Sequence, residues 1–284
     1  MERLLEADLL SWKNQETRKP VLLDGARQVG KSFLIENRFG KEHFSRVHKL
    51  DFRASRSAHD IFSDSLEPGF ILSNIELYLD VDITLSSDLI LFDEIGECQR
   101  AVDSLKYFSE QRPEGYLCAT GSNIGLLDSF PVGKVQTLEL FPLSFEEFLM
   151  ASGEVKLLEK FRQMSRLKIV HEKLWRYLLD YYYVGGMPEA VAVWFGNSDQ
   201  GINSRTKAIS RIHRDLITGY ERDFGKYGGK TSAMEIDRVF HNAPLQLSKN
   251  TDDSVKRFVF KNVIERKNRY LQLKGPIDWL EKSS

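Results

Sequence analysis

Apolar positions along the chain fall into short continuous runs and longer helical patterns. "PVLLDGA" (Pro20–Ala26), "DLILFDEI" (Asp88–Ile95) and "GYLCATGS" (Gly115–Ser122) are apolar with little alternation. With "RVHKLDF" (Arg46–Phe52) and "VQTLELFPL" (Val135–Leu143) they predict five strands. Strands buried on both faces belong to parallel sheets covered by helices. Helical spacing lies between them: Lys31–Arg38, then "DIFSDSLEPGFILSNIELYL", broken near Pro68-Gly69, then "AVDSLKYFSEQ". Strand and helix alternate throughout, which predicts a doubly wound α/β domain.

The texture changes near Ser144. Long helical patterns follow: "SFEEFLMASG", "EKLWRYLLDYYYVGG", "PEAVAVWFG" and "SRTKAISRIHRDLITGYERDF". The expected segments are an α/β core over 1–144, a helical region over 145–230 and a last segment over 231–284. That last segment carries the basic run "KRFVFKNVIERKNRYLQLKG", with Phe258, Phe260 and Tyr270 interleaved. Such a run is either a DNA-facing element, in which Lys267 and Arg269 would meet phosphates, or an amphipathic segment with a solvated face. The N-terminal "MERLLEADLLSWKNQETRKP" is amphipathic and contains acids, so it reads as a surface helix rather than a signal peptide.

Bulk properties narrow this little. The 284 residues are 42% hydrophobic and 29% charged with a net charge of −1, ordinary values for a soluble globular protein. No apolar run reaches membrane length. Cys98 and Cys118 lie in stretches that read as buried, without a disulfide framework, which suits a reducing cytoplasm.

Candidate chemistry changes the picture more. Gly25-Ala26-Arg27-Gln28-Val29-Gly30-Lys31-Ser32, followed by Phe33, fits G-x-x-x-x-G-K-[ST] between an apolar strand and a helix. Glycines let a backbone wrap a polyanion, and the inward N–H groups and helix N-terminus favour negative charge. Lys31 would reach the β- and γ-phosphates, and Ser32 would offer its hydroxyl to Mg²⁺. "LILFDEI" ends a buried strand on two acids, where open α/β sheets place their ligand crevice. Asp93 would hold Mg²⁺ and Glu94 would orient and deprotonate water; Glu97, past the strand end, is the weaker candidate. Asp93-Glu94-Ile95-Gly96 also fits the loose D-x-x-G pattern of GTPases, but no N-K-x-D segment follows, and no arginine-rich lid of a nucleotide kinase follows Gly121. Thr120, Ser122 and Asn123 end the neighbouring strand, where a polar group would sense the γ-phosphate or simply make a turn.

These pieces resemble a known family. "GARQVGKS", "LILFDEIGECQRAVDSLKYF", "ATGSNIGLLDSFPVGKVQTLELFPLSFEEFL", "YYYVGGMPEAV" and "YERDFGKYGGK" are similar to prokaryotic AAA-type ATPases found with a DUF4143 C-terminal domain, the AAA_14 group of P-loop NTPases. The resemblance spans roughly Val21 to Lys230 and implies a five-stranded additional-strand catalytic-glutamate core, a helical region and a partial winged-helix-like segment. It makes Gly25 to Ser32 the Walker A loop, Asp93 with Glu94 the Walker B pair and Ser122 the first sensor. It brings the Gly185–Pro188 turn, with Pro188, towards the adenine. The chain ends at "IDWLEKSS", where the wider family continues into a restriction-endonuclease-like domain, so that domain is expected to be absent here.

ATPases of this type often complete their site with a cation from a neighbouring subunit, which makes a homo-oligomer or protein partner a candidate. Arg27, Arg100, Lys134 and Arg222 are the candidate cations. The expected activity is Mg²⁺-dependent ATP hydrolysis driving a conformational change. The alternatives are a nucleotide switch with negligible turnover and a DNA-associated regulator.

Overall fold

The computed structural model describes residues 1–122, 124–127, 129–197, 201–249 and 257–283, which form two compact units, Met1–Gly201 and Ile202–Ser284. All five expected strands are present in the first unit: β1 (Val21–Asp24), β2 (Val47–Asp51), β3 (Leu89–Asp93), β4 (Tyr116–Thr120) and β5 (Gln136–Glu139). Their order is β2-β3-β4-β1-β5 and every pairing is parallel. One strand, β4, thus separates the strand leading into the glycine loop from the strand that ends on the acids.

Alternate residues of each strand enter different cores, so the apolar runs show no alternation. Leu22, Ile90, Phe92, Leu117 and Ala119 face one side, packed with Phe52, Phe62 and Phe108. Val21, Leu23, Leu89, Leu91 and Cys118 face the other, packed with Leu34, Ile35 and Phe39. Burial on both faces is what a parallel sheet between helical layers requires. The N-terminal helix α1 (Glu6–Lys13) belongs to the second layer. As expected of an amphipathic surface helix, it exposes Ala7, Asp8 and Ser11 and buries Leu9 and Trp12 completely, and the Trp12 indole donates to the Lys19 carbonyl at 2.8 Å.

The helix after the glycine loop begins as α2 (Lys31–Phe33) and widens into a π-helical turn over Leu34–Gly40 before α3 (Lys41–His43). Next come α4 (Ser57–Asp60), α5 (Pro68–Leu79) and α6 (Gln99–Gln111). Proline opens α5, where its missing N–H costs nothing, and the Glu67 carboxylate caps it by accepting from the Phe70 amide.

Four more helices complete this unit: α7 (Phe145–Ala151), α8 (Val155–Arg162), α9 (Lys168–Val184) and α10 (Pro188–Gly196). Ser144 and Glu147 form a reciprocal capping box at the start of α7. The turn between α9 and α10 folds back onto the residues that leave β5. The Leu143 amide donates to the Gly186 carbonyl at 2.7 Å, and the Tyr181 hydroxyl to the Leu143 carbonyl at 2.7 Å. A Cβ on Gly186 would lie 2.3 Å from the Leu143 oxygen, so only glycine permits this approach. Ser144 therefore marks a change of architecture inside one compact unit, and the helical pattern read over 145–230 is divided at Gly201.

The second unit contains α11 (Ile202–Lys249) and α12 (Tyr270–Lys282). Within α11, His241 Nε2 lies 2.9 Å from Glu221 Oε1, and the Phe224 and Phe240 rings are 5.3 Å apart. Twenty residues of straight helix would span about 30 Å, so the segment doubles back between Phe224 and Phe240. Val239, Val263, Ile264 and Leu273 form the core of this unit. The stretch before α12 holds one isolated antiparallel bridge, Ile264 with Lys267. No described helix is long and apolar enough to cross a membrane.

Candidate nucleotide and metal site

Strand β1 ends at Asp24, and the loop to Lys31 carries three residues with positive φ: Gly25 (142°), Gln28 (68°) and Gly30 (93°). A Cβ on Gly25 would lie 2.3 Å from the Leu140 oxygen, so the loop packs against the exit of β5 only with glycine there. Val29 is fully buried and anchors the loop from beneath, while Ala26 and Arg27 are half-buried and Gln28 is exposed. The Lys31 ammonium donates to the carbonyls of Gly25 (2.7 Å) and Ala26 (2.9 Å). Its residue is only 7% exposed, and burial pushes its pKa below the usual lysine value against the pull of Glu94, Asp24 and Asp93. A buried ammonium whose partners are mainly neutral carbonyls is prepared for a polyanion.

Parity along the strands places the acids. Asp93 follows Leu89 and Leu91 on the face covered by α2, and Thr120 follows Cys118 on the same face. Asp93 Oδ1 accepts from the Ser32 hydroxyl at 2.6 Å and from the Thr120 hydroxyl. Asp93 Oδ2 lies 2.8 Å from the Lys49 ammonium, which also contacts Glu36 Oε2 at 3.1 Å. Burial pushes the Asp93 carboxyl up, but the bonds from Lys49, Ser32 and Thr120 outweigh it and hold the pKa below the ordinary value. Glu94 sits just past the strand at φ 53°, ψ 46°, a left-handed conformation uncommon outside glycine. Burial, Asp93 and Glu97 raise its pKa against Lys31 and Arg53. Two adjacent carboxyls are thus shifted in opposite directions, Asp93 down and Glu94 up, the arrangement that separates acid–base roles.

At the end of β4, Thr120 is the hydroxyl that reaches Asp93; it is 1% exposed, and the Glu94 amide lies 3.4 Å from its oxygen. Ser122 is half-buried with its carbonyl beside Gly96, and no hydrogen bond joins its hydroxyl to the described residues of the cluster. Asn123 lies outside the described residues. Glu97 ends an exposed 3₁₀ turn away from this cluster's hydrogen bonds.

A cavity of about 330 Å³ opens beside the loop, lined by Val29, Gly30, Phe33, Leu143, Pro188 and Ala192 among others. Pro188 Cγ lies 3.7 Å from the position of a Cβ on Gly30, and Phe33 presents a half-exposed ring. Pro188, the residue expected near a base, and Phe33 therefore line this cavity together with Gly30 of the glycine loop. Of the candidate cations, Arg100 donates to the Phe62 carbonyl and Lys134 pairs with Glu110 at 2.8 Å. Arg222 is exposed in the second unit, and Arg27 stays in the loop.

Arg3 was not foreseen. Its guanidinium meets Glu147 at 2.9 Å, the Val29 carbonyl at 3.0 Å and the Phe141 carbonyl, tying the chain's start, the glycine loop and α7 together. Arg3→Ala leaves a carboxylate that is 7% exposed without its cation. Loss of a buried partner costs about 3 kcal/mol, to be read as a lower urea midpoint at unchanged m-value. Burial raises the Glu147 pKa, but the Ser144 and Leu4 amides and Arg3 bring it below the ordinary value of 4.5. The pair's contribution is therefore present above pH 4.5 and fades as pH falls through the lower folded value.

The family model of the AAA domain AAA_14 matches residues 17–149, and that of the domain of unknown function DUF8612 matches residues 176–284. No curated protein matches the chain. Solved structures with partial similarity include AMPPCP-bound DnaA from Aquifex aeolicus, at 11% identity over 98% of this chain and 86% of that one, with a TM-score of 0.38. Drosophila ORC bound to DNA aligns at 14% identity over 99% of this chain and 82% of that one, TM-score 0.36. PCH-2 from C. elegans aligns at 14% identity over 92% of this chain and 60% of that one, TM-score 0.29. Residues 17–149 thus match the AAA_14 model of an AAA domain, and within them the glycine loop, the acid-ended β3 and the intervening β4 stand in the parallel sheet of a P-loop NTPase core.

Proposed function

We propose that this domain binds ATP with Mg²⁺ and hydrolyses it to ADP and phosphate. One observation carries the reading: the Ser32 hydroxyl rests on Asp93 at 2.6 Å, with Glu94 the next residue in a left-handed conformation. A hydroxyl and a carboxylate are hard oxygen donors of the kind Mg²⁺ prefers, so Ser32 and Asp93 would hold the ion. When bound, Mg²⁺ supplies neutralisation of the phosphate oxygens.

The remaining roles belong to the chain. Lys31 exchanges the Gly25 and Ala26 carbonyls for phosphate oxygens, and the loop amides from Ala26 to Ser32 surround them. Glu94 accepts a proton from the water that attacks the γ-phosphorus, as the bond to the β–γ bridging oxygen breaks. Thr120 and Ser122 read the γ-phosphate from the end of β4. Phe33 and Pro188 enclose the base. Because the Pro188 turn is bonded to Leu143 and carried on α9 and α10, a base in that cavity is coupled to the helical region. That coupling is a route from hydrolysis to a conformational change.

A DNA-associated regulator is the second reading. Arg257, Lys261, Arg266, Arg269 and Lys274 are exposed between residues 257 and 274, with Glu265 the one acid among them. Lys267, expected to face phosphate, instead bonds Glu235.

Phosphate release from ATP and from GTP, with and without duplex DNA at low salt, tests both readings. ATP turnover with Mg²⁺, absent in Lys31→Met, is the expected result. Tight nucleotide retention without turnover would replace it with a switch. DNA that neither binds nor changes turnover removes the second reading.

A further inference from the structure

Lys49 is the one cation on the Walker B carboxylate among the described residues, and no sequence motif points to it. It lies on β2, the edge strand beside β3, in register with Leu91 and therefore on the α2 face. From there its ammonium reaches forward to Asp93 Oδ2 at 2.8 Å and is held from the other side by Glu36 of the π-helical turn at 3.1 Å. Asp93 Oδ1 is already taken by Ser32 and Thr120. All of the acid's charge is therefore answered from within the protein, and Oδ2 is answered by a lysine alone.

Resting on the reading of Ser32 and Asp93 as the Mg²⁺ site, we propose that Lys49 is a built-in counter-cation that competes with the metal for Asp93. With Lys49 on Oδ2, phosphates can approach Lys31 without meeting an unpaired carboxylate, so nucleotide binds even when metal is scarce. When metal arrives with the nucleotide, the ammonium gives up Oδ2 and retains Glu36, its second anchor. Lys49 thereby sets how strongly nucleotide affinity depends on Mg²⁺. It is a positioning residue: it touches the acid and not the reacting atoms.

The discriminating quantity is the ratio of nucleotide dissociation constants in EDTA and in Mg²⁺, measured by fluorescence titration with a labelled ATP on the full chain. In Lys49→Met the metal-free complex should weaken while the Mg²⁺ complex holds or tightens. The ratio should rise about tenfold, the effect of one partly screened charge at contact distance. Lys49→Arg should restore the wild-type ratio, which a purely structural role would not require. Lys49→Gln serves if the methionine variant does not fold, judged by its thermal unfolding without nucleotide. A ratio unchanged in a folded, nucleotide-binding variant overturns the role of Lys49 and leaves the site reading intact. Absence of nucleotide binding by the wild type, in EDTA and in Mg²⁺ alike, overturns both.

Discussion

Glu94→Gln is expected to bind ATP within about threefold of wild type and to release phosphate about 10²–10⁴-fold more slowly, the usual worth of a positioned general base. The amide keeps the size and the left-handed backbone of Glu94 but cannot accept a proton. Affinity should survive because phosphate contacts come from the loop and Lys31, not from this carboxyl. A pH profile sharpens the test. Burial and the neighbouring Asp93 raise the Glu94 pKa, so the acid limb of turnover should lie above the ordinary carboxylate value of 4.5. Below that limb Glu94 is protonated and the rate falls; the residual rate of the amide variant should lack the limb. Equal turnover in the two proteins would move the general base elsewhere.

The parts of this site that are local in sequence were the parts that could be read from it. Gly25, Gly30, Lys31 and Ser32 stand in one octet, and Asp93 ends one strand with Glu94 just past it, so motif and strand pattern together point to them. The uniform apolar runs announced a sheet buried on both faces, and each expected strand appeared within a few residues. What remained hidden depends on which strands are neighbours. Lys49 reads as an ordinary cation on an edge strand, where lysines commonly face water; only the pairing of β2 with β3 points it at Asp93. Three polar candidates follow one another in the sequence near the end of β4, and the register of β4 with β3, rather than any motif, brings Thr120 to the acid.

Arg3 and α1 illustrate the same limit at longer range. The amphipathic N-terminus reads correctly as a surface helix, but the layer that its Leu9 and Trp12 enter is set by distant residues such as Phe39 and Tyr116. The partner of Arg3, Glu147, lies 144 residues away, and no local pattern joins the two. Around α11 the pattern shows a helical stretch up to Phe224 and a new segment from Thr231; that these are two limbs folded back on each other shows only in the contact of His241 with Glu221.

Lys31→Met should make the nucleotide-free protein more stable and its nucleotide complex vanish. Methionine preserves the unbranched stem in a site that is 7% exposed, and removes a charge that burial disfavours. The sign follows from linkage. The folded pKa lies below that of the unfolded chain, so the destabilisation is complete at pH below the folded value and disappears as pH rises past the usual 10.5. At neutral pH the variant should therefore gain about 1 kcal/mol, the range of a single stabilising substitution. At pH above 10.5 that advantage should shrink. Nucleotide reverses the order. ATP with Mg²⁺ at one hundred times its dissociation constant adds about 2.7 kcal/mol to the wild type and should add nothing to the methionine variant. Thermal unfolding of both proteins, with and without ATP and Mg²⁺, gives all four values. A variant that is less stable without nucleotide would mean that the bonds from Lys31 to Gly25 and Ala26 outweigh its desolvation, and the loop would then be held together by its lysine. The expected crossing instead assigns the loop's stability to Val29, to the close packing of Gly25 on Leu140 and to Arg3, leaving the ammonium strained until a polyanion meets it.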